Sequence, residues 1–284
     1  MSPSSSTSRP RSFRSKLDRA HSSDCEVRRF LASLKECSRS RDLDWGKQIH
    51  AEAECCGLDS NAFVASSLVN LYGKCGCMDE ARRAFDRMNC PDLVAWNSLI
   101  LGYAVNGHGG VALQLFLDME SRGLQGNSVT FIGLLKACAS LTEKENGKVL
   151  EDLELVVKFS SLDRGMALHS LATARGIDTN ALVASSLVEM YARCGSVVDA
   201  WKVFHGAPKR DVVLWTSLMQ GFVENGQSEV VLELFVEMQR ESGGANARTF
   251  VAVFQAITSL AKRERGEETI HGRILKLKSL ERAA

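Results

Sequence analysis

The sequence predicts an all-α solenoid of stacked helical hairpins, and three observations carry that prediction. First, the chain repeats at an offset of 119 residues: AFVASSLVNLYGKCG from Ala62 returns as ALVASSLVEMYARCG from Ala181, and DLVAWNSLILGYAVNG from Asp92 returns as DVVLWTSLMQGFVENG from Asp211. Self-similarity of this kind marks repeat architectures, in which each unit buries its apolar face only against its neighbours. Second, apolar residues recur at helical spacing, with no sustained period-two alternation. Third, the 284 residues contain only four prolines, which suits long helical stretches.

The units follow in order. Val27–Asn61 (35 residues) precedes Ala62–Asp92 (31) and Leu93–Asn127 (35); then come Ser128–Asn180 (53), Ala181–Asp211 (31), Val212–Asn246 (35) and a last unit over 247–282. The first, fourth and seventh share the cores FLASLKECS, FIGLLKACA and FVAVFQAIT. Each unit predicts two helices. From Leu93, Trp96, Leu99, Ile100 and Tyr103 lie on one helical face, Asn106-Gly107 breaks the helix, and Ala112, Leu115, Phe116 and Met119 begin the same spacing again. The fourth unit is 18 residues longer than the first. Its closing part, Gly165 to His169, matches Gly46 to His50, so the excess falls roughly between Gly147 and Arg164. Val149, Leu150, Leu153, Val156 and Val157 form an amphipathic stripe there, read as either an added helix or a non-native insertion.

Composition narrows the functional classes. Hydrophobic content of 45% and charged content of 24% are those of an ordinary globular chain, and no apolar run is long enough to span a membrane. Of the formal net charge of +1, the first 20 residues contribute +4, leaving −3 for the other 264. A body of that charge does not bind nucleic acid by phosphate neutralisation alone, so base contacts must carry selectivity. Residues 1–23 are read as a disordered N-terminal segment. Their seven serines and five basic residues within the first 20 fit an organellar transit peptide. Nine cysteines include no C-x-x-C pair. Cys37 and Cys138 recur at equivalent places, as do Cys75 and Cys194, which suits buried packing thiols in a reducing compartment.

The pattern resembles the pentatricopeptide repeat family, in its plant subclass of long (L), short (S) and standard (P) motifs. WNSLILGYAVNGHGGVALQLFLDMESRG from Trp96 is similar to a P motif and VASSLVEMYARCGSVVDAWKVFHGAPKRD from Val183 to an S motif; LLKACASL from Leu134 and GKQIHAEAECCGL from Gly46 are similar to the halves of an L motif. The order is then L-S-P-L-S-P-L over residues 27–282. The resemblance implies a right-handed superhelix that binds single-stranded RNA, one base per repeat. It also implies a place in mitochondrion or chloroplast and a role in organellar RNA editing or processing.

The resemblance makes the fifth and last residues of each motif the base-choosing pair. These are Ser66 with Asp92, Asn97 with Asn127, Ser185 with Asp211, and Thr216 with Asn246. By the family's code they imply G, C (or U), G and A, within an element N-G-Y-N-G-A-N. The apolar second residues Phe63, Val94, Leu182 and Val213 would flank the bases. The L motifs carry Leu31, Ile132 and Val251 at the fifth position, which offer no hydrogen bond. Asp and Asn at unit ends are also good helix caps, so a purely structural role competes with readout.

Catalysis is not expected. Family members often end in a deaminase-like domain that needs H-x-E and P-C-x-x-C around zinc. His50-Ala51-Glu52 spells the first part, but no C-x-x-C follows, and His50 recurs as His169, with His271 one place out of register. Packing histidines are the expectation, with neither cofactor nor metal, and any chemistry supplied by editing or processing proteins in trans. The chain stops at Ala284, where another S motif would begin, without the family's C-terminal extension domains. The alternatives are a tetratricopeptide-like scaffold for protein partners, or a truncated remnant of an editing factor.

Overall fold

The computed structural model describes residues 11–150, 155–241 and 244–263. His271, Leu153 and the end of the last unit, 264–282, lie outside them. The chain divides into two compact units, residues 1–106 and 107–284. The first contains α1 (Arg11–Ser40), α2 (Leu43–Cys55), α3 (Ala62–Lys74), α4 (Met78–Asp86) and α5 (Leu93–Val105). The second contains α6 (Gly109–Ser121), α7 (Ser128–Leu141), α8 (Phe159–Ala174), α9 (Ala181–Arg193), α10 (Val197–Gly206), α11 (Val212–Glu224), α12 (Ser228–Glu241) and α13 (residues 247–263).

The fold is all-α, and within each unit the layering is that of a solenoid. In the first, α3 packs against α1, α4 and α5; in the second, α9 packs against α7, α10 and α11. The leading helices of successive hairpins thus stack in series, and each second helix backs its own hairpin. The helical face expected from Leu93 is seated as the spacing predicts: Trp96, Leu99 and Ile100 are buried and Tyr103 is half-buried. One aromatic contact recurs at the 119-residue offset. Phe85 of α4 meets Trp96 of α5 edge-on at 4.7 Å, and Phe204 of α10 meets Trp215 of α11 at 4.6 Å. Such pairs contribute about 0.5–1.5 kcal/mol beyond the area they bury.

Hairpin turns are set by residues free to enter left-handed backbone. Gly107 and Gly226 sit at φ 77° and 74°, where a side chain would be strained. Asn106 and Asn225 just before them end α5 and α11.

Two segments differ from a plain run of hairpins. The 18-residue excess does not add a separate helix. It contains two short antiparallel strands, β1 (Lys148–Leu150) and β2 (Leu155–Val157), with Val149 opposite Val156, and it lengthens α8 by three residues relative to α2. β-branched valines favour extended backbone over helix, and pairing satisfies backbone groups that a loop would leave to water. The ribbon is accommodated outside the hairpin, since α7 still packs on α8 and on α9. The second segment is residues 11–23, within the expected 1–23 N-terminal segment. Their backbone forms the start of α1, with Pro10 immediately before the helix and neither glycine nor proline from Arg11 to Ser40.

Among the described cysteines, Cys37, Cys138 and Cys194 are buried, and desolvation pushes Cys138 and Cys194 up to about 12. Cys55, Cys56 and Cys90 are exposed, so packing accounts for only part of the set. No helix among the described residues is long and apolar enough to cross a membrane.

Candidate nucleic-acid interface

The candidate site is built from the first turns of the leading helices. Every unit boundary from Asn61 to Asn246 places an Asp or Asn before a helix. Asp92 and Asp211 cap α5 and α11 by accepting from the amides of Ala95 and Leu214, each at 2.9 Å. Asn127 caps α7 by accepting from Val129 and Thr130, with Thr130 reaching back to the Asn127 amide at 3.0 Å. Asn246 accepts from the Thr249 amide at 2.9 Å. The capping role is therefore present at all four predicted last positions. Capping uses one carboxylate oxygen of Asp92 and Asp211 and holds the group in a fixed orientation, while the second oxygen retains its acceptor capacity.

The fifth-position side chains sit one turn into these helices and are almost enclosed. Ser66, Asn97, Ser185 and Thr216 are only 6, 8, 6 and 9% exposed. The hydroxyls donate back to the preceding turn: Ser66 to Ala62, Ser185 to Ala181 and Thr216 to Val212, at 2.7, 2.9 and 2.7 Å. Their oxygens keep acceptor capacity.

The structure brings one predicted pair together through an intermediary. Thr216 Oγ1 lies 2.8 Å from Thr249 Oγ1, which lies 3.1 Å from Asn246 Oδ1; with the Thr216 proton on Val212, the single Thr249 proton serves one of these two contacts at a time. Thr249 is fully buried and was not among the predicted residues. Its signal was the recurring N-x-x-T of Asn127/Thr130 and Asn246/Thr249, a capping-box spacing. Ser66 lies on α3 and Asp92 caps the adjacent α5, and Ser185 lies on α9 and Asp211 caps the adjacent α11. Asn97 belongs to the first unit and Asn127 to the second.

Beside these polar groups stand large apolar side chains in water. Phe63, Val94, Leu182 and Val213 are 67, 61, 57 and 46% exposed. None contributes to the core, although each follows within two residues of a cap.

The histidines have packing roles. Nδ1 of His50 meets the Tyr72 hydroxyl and Nδ1 of His169 the Tyr191 hydroxyl, each at 2.8 Å with rings edge to face. Among the described residues no group of three His, Cys, Asp or Glu side chains could hold a metal ion.

Comparison with known proteins adds the family signal. The sequence matches the PPR repeat family over residues 91–140 and the PPR repeat over 63–90 and 213–242. A chloroplastic pentatricopeptide repeat-containing protein of Arabidopsis thaliana is 34% identical over 249 residues, covering 88% of this chain and 37% of its own length. A second from Arabidopsis thaliana, chloroplastic/mitochondrial, is 33% identical over 86% of this chain and 36% of its own. The chain spans about a third of the length of the curated relatives it matches. Among solved structures, the maize pentatricopeptide repeat protein PPR10 aligns at TM-score 0.36 and 18% identity, over 90% of this chain and 42% of that one. The sequence matches and the helical hairpins together establish that this chain carries pentatricopeptide repeats.

Proposed function

We propose that the chain binds single-stranded RNA by reading one base per repeat, in an L-S-P arrangement of motifs, within a mitochondrion or chloroplast. The observation that carries this reading is the recurrence, on successive helices, of an exposed apolar second residue beside an enclosed polar fifth residue and a capping last residue. Exposed apolar groups at a fixed repeat position suit contact with base faces, while the polar pair suits a Watson–Crick edge.

The chemistry supports the assigned preferences. The free oxygen of Asp92 or Asp211 can only accept, which matches the N1–H and N2–H donors of guanine. The amide of Asn246 can donate to N1 of adenine while its oxygen stays on the cap. Relatives named chloroplastic, mitochondrial or both supply the case for an organelle. Editing or processing chemistry would come from partner proteins in trans.

The test is a gel-shift titration of RNA carrying N-G-Y-N-G-A-N against versions changed at each specified base, at matched salt. Discrimination at the four specified positions is expected. Equal affinity for all versions would remove the readout, and absence of any RNA shift alongside capture of a peptide would favour the protein scaffold.

A further inference from the structure

The two copies of the S-type hairpin differ where they meet the preceding hairpin. In the first copy, Arg87 just past α4 forms an ion pair with Glu54 of α2 and lies 3.8 Å from Asp59. Glu54 in turn lies 3.7 Å from Nε2 of His50. The second copy keeps the histidine–tyrosine pair and has Asp178 in the place of Asp59. The counterpart of Arg87 is Gly206, however, and that of Glu54 is Thr173.

What remains in the second copy is a cavity of about 270 Å³ whose polar lining includes His169, Asp178, Asp199 and Lys202, together with Thr179 and Tyr191, with Leu187 and Ala184 on its apolar side. Asp199 is held by Ser196 at 2.6 Å and by Lys202 at 2.9 Å. Asp178 accepts one bond, from the Thr173 hydroxyl at 2.9 Å, and makes no ion pair among the described residues. A side chain at Gly206 would meet no atom within 4 Å of its Cβ.

We propose that this cavity takes up a guanidinium or alkylammonium group from outside the chain, seated against Asp178 in the position that Arg87 fills in the first copy. Asp178 has acceptor sites left for a charged donor, and a charge-assisted bond is about twice as strong as a neutral one. With Asp178 and Asp199 against Lys202, the lining carries one excess negative charge. Burial, partly opposed by Asp178 and Asp199, holds His169 below its ordinary value, so it adds little positive charge near neutral pH. Leu187 and Ala184 give the aliphatic stem of an arginine or lysine a surface to cover.

The test uses the full chain, with the imidazole resonance of His169 assigned from a His169→Gln variant. N-acetyl-arginine amide and a short alanine peptide with one central arginine are titrated separately. A saturable shift with a dissociation constant on the order of millimolar is expected. It should weaken by about tenfold or more in Asp178→Asn and in Gly206→Arg, whose own guanidinium fills the cavity. Circular dichroism and melting establish that both variants fold; if Asp178→Asn does not, Gly206→Arg decides alone, because its site is sterically open. Binding of the blocked amino acid identifies a small-molecule source, and binding of the peptide alone identifies a polypeptide one. No shift of His169 with either probe, or equal binding by Gly206→Arg, overturns the proposal.

Discussion

Asn225 donates its side-chain amide to the carbonyl of Ala192, 33 residues earlier, at 2.8 Å, and to its own helix at Gly221 at 2.8 Å. Asn106 makes the same two bonds, to Gly73 at 2.8 Å and Gly102 at 2.7 Å. One amide thus ties the end of α5 to the end of α3, and the end of α11 to the end of α9, giving a second donor to carbonyls that already accept a backbone N–H.

Asn225→Ala is expected to cost about 1–2 kcal/mol, since two part-buried side-chain hydrogen bonds are lost. Urea denaturation of the full chain measures this, and no change in midpoint would contradict it. Gly221→Ala should destabilise by about 1–3 kcal/mol by the same assay, because the new Cβ would stand 2.5 Å from that of Ala192.

Stability should fall with mild acid through the histidine–tyrosine pairs. Burial lowers His50 and His169 below their ordinary value of 6.5. The folded chain therefore resists protonation that the unfolded chain accepts. Stability from this source is intact above 6.5 and declines as pH falls below it, levelling off beneath the lowered folded value. Denaturant midpoints at pH 7.5 and 5.5 should differ more for the wild type than for a His50→Gln/His169→Gln variant. An equal difference would show that other groups govern the response.

Base choice should move with the pair Thr216 and Asn246. Thr216→Asn together with Asn246→Asp is expected to shift that repeat from A toward U, by about tenfold in relative affinity. The helix should accept the change, because Asn97 occupies the equivalent enclosed position of α5 at 8% exposure. The aspartate keeps the oxygen that caps α13 while replacing a donor by an acceptor. An unchanged preference in competition binding would count against readout at this pair.

Glu145→Ala should loosen the start of α8 and the ribbon before it. The side chain of Lys158, at the N-cap, does not cap the first-turn amides, and Glu145 serves instead, accepting from the amides of Ser160 and Ser161 at 2.8 and 2.9 Å and from the Ser161 hydroxyl at 2.6 Å. The loss is expected to be about 1–2 kcal/mol, as for removal of an ordinary cap. Faster amide exchange confined to α8 and the ribbon would accompany it; exchange unchanged there would exclude this role.

Much of the fold was legible because helix signals are local. Trp96, Leu99 and Ile100 declare a buried face by spacing alone, and Asp92, Asn127, Asp211 and Asn246 each find their amide partners within three residues. The sequence left the excess segment open between an added helix and an insertion, because Val149, Leu150, Val156 and Val157 fit a helical stripe as well as two short strands, and three-residue strands show too little alternation to identify. Thr249 was missed because its link to Thr216 crosses 33 residues.

The repeat register, the paired helices and the capping residues follow from the order of amino acids, because each depends on neighbours within a turn or two. The bridge from Thr216 through Thr249 to Asn246, the tie of Asn225 to Ala192 and the cavity between Asp178 and Gly206 depend on which distant helices pack together. The 119-residue repeat makes Asp59 and Asp178 equivalent in sequence; only the packed neighbours, Arg87 in one copy and Gly206 in the other, make one of them paired and the other open.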